Sequence, residues 1–202
     1  MTTLTASPAM LSAVAESARR TAGLREDDRQ AVEACLGGDT QAFDQIVERY
    51  QRNVYRLCYR YVNNHFDASD MAQEVFLRAY KALSKFRGDS AFSTWLYRIA
   101  VNTCLNFRSA NRRPVEELSE NLTDKRRGAL EEIEREERAV RVREAIGHLP
   151  DKQRATLILR MYHDLSMEEI AGVMGSSIGT VKANLFHALS KMRKRLGGDE
   201  EE

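Results

Sequence analysis

Eight residues near the C-terminus have the types and spacing to read a nucleic acid duplex: Ser177, Gly179, Thr180, Lys182, Ala183, Asn184, Phe186 and His187. They fall on the side of a helix away from an apolar stripe of Ile178, Val181 and Leu185. Gly179 and Thr180 stand at the helix start, where amides and a hydroxyl hold phosphate. Lys182 can reach a guanine or a phosphate, and Asn184 an adenine edge or a phosphate. Phe186 can press on a thymine methyl or on sugar; its plain alternative is core packing. Elsewhere the chemistry is thin. His65, His148, His163 and His187 are scattered, and no glycine-rich phosphate loop or carboxylate pair occurs. Cys35, Cys58 and Cys104 are isolated, with no CxxC and no metal-ligand spacing. Neither an enzyme nor a cofactor or metal site is expected.

The reading helix needs a partner to position it, and Leu165–Leu196 supplies one. Ser166 and Glu169 form a capping box ahead of an apolar face of Ile170, Val173 and Met174. Ala171 is small where a second helix crosses, and Gly175 takes the turn. This is the pattern of a helix-turn-helix, whose second helix enters the major groove. The competing reading is an ordinary helical pair with a solvated basic face. Between Glu169 and Asp199 no acid occurs, while Lys182, Lys191, Arg193, Lys194 and Arg195 do, which favours DNA.

The remaining periodicity is helical too. Apolar positions recur at helical spacing over Thr40–Val62, over Ala68–Leu83 capped by Asp67 or Ser69, over Phe92–Ser109, over Leu130–Leu149 and from Pro150 to Met161. No strand alternation with hairpin turns appears. Charge is sorted along a chain of 202 residues and net charge +1. Trp95–Arg113 carries Arg98, Arg108, Arg112 and Arg113 and no acid, whereas Glu116–Glu137 holds nine acids against four bases. The expected architecture is all-α: two small helical domains joined by a flexible acidic linker, the second a helix-turn-helix domain. The boundaries are an N-terminal extension 1–27, a first unit 28–113, a linker 114–129, a second unit 130–197 and an acidic tail 198–202. Cys58 and Cys104 sit among apolar positions as buried free thiols, which suits the cytoplasm. No run is long enough to insert in a membrane.

Three blocks carry a resemblance: DMAQEVFLRAYKAL (Asp70–Leu83), FRGDSAFSTWLYRIAVNTCLNFRSANRRP (Phe86–Pro114) and LPDKQRATLILRMYHDLSMEEIAGVMGSSIGTVKANLFHAL (Leu149–Leu189). They resemble the extracytoplasmic-function (ECF) sigma factors of bacterial RNA polymerase, above all the envelope-stress branch. The resemblance implies a non-enzymatic subunit that binds core RNA polymerase and directs it to promoter DNA. It also implies an anti-sigma factor as a further partner. Asp70, Gln73, Glu74 and Phe76 match core-polymerase positions. Phe86 and Asn102 match positions that read a flipped base of the downstream element. Trp95 and Arg98 add a platform and a charge to that site, although Trp95 also suits a core and Asn102 an ordinary helix surface. Arginines are common in the family where this chain has Lys182, Asn184 and His187, so no promoter consensus carries over. The alternative is a stand-alone helix-turn-helix regulator. The linker and the second basic block argue against it.

Overall fold

The computed structural model describes residues 27–86, 88, 90–110 and 129–197, and every regular element among them is helical. Most of the expected extension and linker, and the acidic tail, lie outside the described residues. A helix α1 covers 27–36. It is followed by α2 (Ala42–Val62), α3 (His65–Ala82), a 3-10 turn (Leu83–Lys85), α4 (Phe92–Ala110), α5 (Ala129–Gly147), α6 (Asp151–Tyr162), α7 (Met167–Met174) and α8 (Ile178–Leu196).

The first group is an antiparallel hairpin of α2 and α3 with α4 laid across it. Phe43, Ile46, Tyr50, Val54, Leu57, Cys58 and Tyr61 recur at three- and four-residue steps, so one side of α2 is buried. Asn63 then adopts a left-handed φ of 55°, and its N–H bonds the Tyr59 carbonyl to stop the helix. Asn64 starts α3: its side chain accepts from the Asp67 amide at 3.0 Å. The expectation of a cap at Asp67 or Ser69 is therefore corrected by about one turn, because an asparagine in extended conformation was available earlier. Asp28 of α1 is buried against Arg49 and accepts a 2.6 Å hydrogen bond from the Tyr50 hydroxyl, which pins α1 to α2. Burial and that carboxylate push the Tyr50 phenol far above its usual range. Cys58 and Cys104 are fully buried and face each other across α2 and α4, and burial raises the Cys104 thiol well above its ordinary value.

The second group is α5 to α8. Leu157, Ile158 and Leu159 of α6 meet Ile170 and Val173 of α7 and Val181 and Ala188 of α8. Ser166 caps α7 through the expected box: its Oγ accepts from the Glu169 amide at 3.1 Å, and its own amide donates to Glu169 Oε2 at 2.8 Å. Gly175, at φ 59°, makes the turn.

The two groups do not stand apart. Their buried residues form one continuous cluster, with α6 against α2 and α7 against α4. The two expected helical domains are both present, and each also covers apolar and aromatic surface of the other. His163, just after α6, lies edge-on to Tyr97 of α4 at 5.2 Å, and its buried Nε2 has no hydrogen-bond partner among the described residues. Burial first, and Arg56 second, lower its pKa to about 4, against a weaker opposing pull from Asp164. The unfolded chain protonates the same ring near pH 6.5, so neutral His163 contributes stability above that value and loses it as pH falls towards 4. Urea unfolding midpoints should drop over that window by the equivalent of about 2 kcal/mol. His163→Gln should flatten this limb; an unchanged pH dependence would refute the assignment.

Candidate nucleic-acid interface

The start of α8 is built by its own cap. Ser177 Oγ accepts from the Thr180 amide at 3.1 Å and lies 2.9 Å from the Thr180 hydroxyl. The two hydroxyls thus form a fixed polar corner at a positively polarised helix end. Beyond it Lys182, Ala183 and His187 are exposed, Asn184 is half-buried, and Gly179 and Thr180 are open. Phe186 is 69% exposed and meets only the edge of His187 at 5.7 Å. Core packing is thereby excluded for Phe186. All eight residues share one accessible surface, because Val181 and Ala188 hold the opposite side of α8 in the core. The absence of acids leaves this surface positive from Lys182 to Arg195. Arg195 also donates to His148 Nε2 at 3.0 Å, which ties the end of α8 to the end of α5.

A second surface lies on α4 and the turn before it. Phe86, Phe92 and Trp95 pack their rings edge-on and tilted in a triangle with centroids 5.3 to 5.4 Å apart. Phe86 and Trp95 are half-buried in it, so each serves the core with one side and keeps the other open. Arg98 and Asn102 follow Trp95 on the same face at steps of three and four, and Asn102 is exposed. Arg98 is not free. Its Nε and Nη2 donate to the Gly172 carbonyl of α7 at 3.1 and 2.6 Å.

A third surface runs along α3. Phe66, Asp70, Gln73, Leu77 and Tyr80 repeat at steps of four and three and are all exposed. Such a stripe, with apolar ends and a polar middle, fits along another helix. Glu74 was expected to be free for a partner; it instead accepts from Arg78 Nε at 2.6 Å within the helix. Phe76 lies off the stripe, half-buried on the core. Leu77 and Phe66 were missed, although their spacing from Asp70 and Gln73 was visible in the sequence.

Comparison with known proteins gives the family. The family profile described as Sigma-70 region 2 matches residues 46–114, and that described as Sigma-70, region 4 matches residues 139–192. The RNA polymerase sigma-H factor of Pseudomonas aeruginosa is 42% identical over 183 residues, covering 85% of this chain and 95% of its own. The chain belongs to the ECF sigma factors. The ECF RNA polymerase sigma-E factor of Escherichia coli is 43% identical over 174 residues, with 80% of this chain and 90% of that protein covered. Among solved structures, CnrH in complex with the cytosolic domain of CnrY aligns with a TM-score of 0.64 and 26% identity, over 86% of this chain and 99% of that one. The sigma factor RpoE from Bartonella quintana, solved with the anti-sigma factor NepR, shares the fold at TM-score 0.62 and 20% identity, over 80% and 100% of the two chains.

As an ECF sigma factor the protein directs RNA polymerase to promoters, and the family's role is non-enzymatic. The region 2 match begins within α2 and runs past α4, and the region 4 match begins within α5 and ends within α8. No helix among the described residues is long and apolar enough to cross a membrane.

Proposed function

We propose that the three surfaces divide the work of promoter recognition. The stripe of α3 docks on a helical element of core RNA polymerase, with Asp70 and Gln73 as polar contacts and Phe66 and Leu77 beside them. Glu74 helps by holding Arg78 in place, and Phe76 by supporting the helix from behind. The α4 face opens and reads the downstream element: Phe86 and Trp95 offer ring faces to unstacked bases, Asn102 a hydrogen-bonding amide, and Arg98 a charge for the backbone. The α8 face reads the upstream element, with Ser177, Gly179 and Thr180 on phosphate and Lys182, Ala183, Asn184, Phe186 and His187 along the groove. The domain limits 28–113 and 130–197 follow from this division. The observation that carries the reading is that one chain presents two acid-poor helix faces on different groups of helices, one aromatic on α4 and one basic on α8. A stand-alone regulator needs only one.

The setting follows from the relatives. Action in the cytoplasm and an envelope or other stress response fit the sigma-E and sigma-H kinship. An anti-sigma partner fits the kinship with CnrH, solved with CnrY.

Run-off transcription with core polymerase on a promoter library tests the division. Asn102→Ala should reduce promoter opening more than closed-complex formation, seen as lost permanganate reactivity on a matched promoter; unchanged reactivity would remove the pocket. Lys182→Ala and His187→Ala should alter recognition of the upstream element and spare the downstream one. A lost base contact costs about 1–3 kcal/mol at one position, whereas a lost phosphate contact weakens all sequences and flattens the salt slope. Wild-type selection and salt slope in both variants would show that α8 does not read DNA.

A further inference from the structure

Asp28 lies outside the stretch that the region 2 profile matches, yet it and Arg154 are the two buried charged side chains among the described residues. Its two oxygens have separate partners. Oδ1 pairs with the Arg49 guanidinium, and Oδ2 accepts from the Tyr50 hydroxyl at 2.6 Å. Both partners are neighbours on α2, so one carboxylate of α1 clamps them together. Asp27 adds only a 3.8 Å contact to Arg49 from an exposed side chain, and such a pair contributes little. The clamp has a consequence beyond α2. The buried Tyr50 ring lies 5.8 Å from that of Phe92, centre to centre, and tilted by 51°. Phe92 is the closed member of the ring triangle: it is 3% exposed, whereas Phe86 and Trp95 keep open sides. Phe92 is therefore the floor on which the two open rings rest. Ring packing tolerates a range of offset and tilted arrangements, whereas the Tyr50 hydroxyl bond is directional. In this row of rings the fixed end is Asp28.

We propose that Asp28 is a positioning residue for promoter opening: through Tyr50 and Phe92, α1 fixes the rings of Phe86 and Trp95 at the angle that receives unstacked bases. This rests on the reading of α4 given above. A platform ordered before the bases arrive favours opening more than one that must be ordered at that moment. Closed-complex formation uses no unstacked base, so it does not depend on Asp28. The helix α1 thereby contributes to the downstream site without touching DNA.

The test uses the full chain with core polymerase, on a promoter selected by run-off transcription and carrying 2-aminopurine in its downstream element. Asp28→Ala and Tyr50→Phe should each slow opening roughly fivefold, the effect of one lost hydrogen bond, and leave closed-complex formation unchanged. Asp28→Asn keeps an acceptor for the Tyr50 hydroxyl and should open at close to the unmodified rate. The double variant Asp28→Ala, Tyr50→Phe should be no slower than the slower single one, because both changes break the same contact. Trp95 is the one tryptophan of the chain, so its emission reports this site directly. In the free chain Asp28→Ala should move that emission to longer wavelength and open it to acrylamide quenching, and Asp28→Asn should not. Tyr50→Phe keeps the ring and gives the same reading should the alanine variant fold poorly. Phe86→Ala and Trp95→Ala serve as the reference for a damaged platform. If these two impair opening while Tyr50→Phe and Asp28→Ala open normally, Asp28 is merely structural and the proposal is overturned. Additive losses in the double variant would also overturn it, since Asp28 would then act by a route other than Tyr50. Normal opening in Phe86→Ala and Trp95→Ala would remove the reading of α4, and the proposal with it.

Discussion

One buried cation holds the geometry together. Arg154 is 2% exposed and makes no ion pair with a carboxylate among the described residues; its guanidinium donates instead to the carbonyls of Ile146 at 3.0 Å, Gly147, and Tyr61 at 2.9 Å. Ile146 and Gly147 end α5, and Tyr61 stands near the end of α2, so two helix ends meet at one planar group. The Ile146 carbonyl also accepts from the Leu149 amide at 3.1 Å, whereas a last-turn carbonyl buried with no donor at all would cost about 1–3 kcal/mol. Burial, and then Arg108, lower the Arg154 pKa to about 10, which still leaves it charged at neutral pH. The cation needs the three carbonyls as much as they need it, because a desolvated charge without acceptors is strongly disfavoured.

The DNA-directed faces depend on that arrangement at one remove. Arg154 fixes the angle between α5 and α6, and α6 with α7 forms the bed on which Val181 and Ala188 seat α8. Only then do Lys182 and His187 point outward together. On the other side, the Tyr61 carbonyl ties the same cation to the helix that carries Tyr50, and Tyr50 packs against Phe92 at the start of α4. A packed core thus sets the direction of two acid-poor surfaces, one built round a capped helix start and the other round a ring cluster.

Much of this was legible because local chemistry decides it. The capping box at Ser166 and Glu169, the glycine turn at Gly175 and the exposed face of α8 follow from spacing and rotamer-scale contacts. The buried thiols Cys58 and Cys104 follow from apolar neighbours. What escaped was decided by tertiary contact. Nothing in the sequence near Arg98 says that a carbonyl 74 residues away will take two of its donors. The Glu74–Arg78 pair has i, i+4 spacing, but spacing alone does not say whether Glu74 turns along its own helix or outward. The early start of α3 turned on Asn64, a cap whose value depends on a backbone angle that spacing does not reveal.

The central claim is that this chain recognises promoters only as part of RNA polymerase. Gel-shift and footprint titrations of the purified chain on promoter DNA, with and without core polymerase, measure it directly. The account predicts specific protection of both promoter elements with core polymerase and none by the chain alone at the same concentration. Specific protection by the chain alone, unaffected by core polymerase, would contradict it.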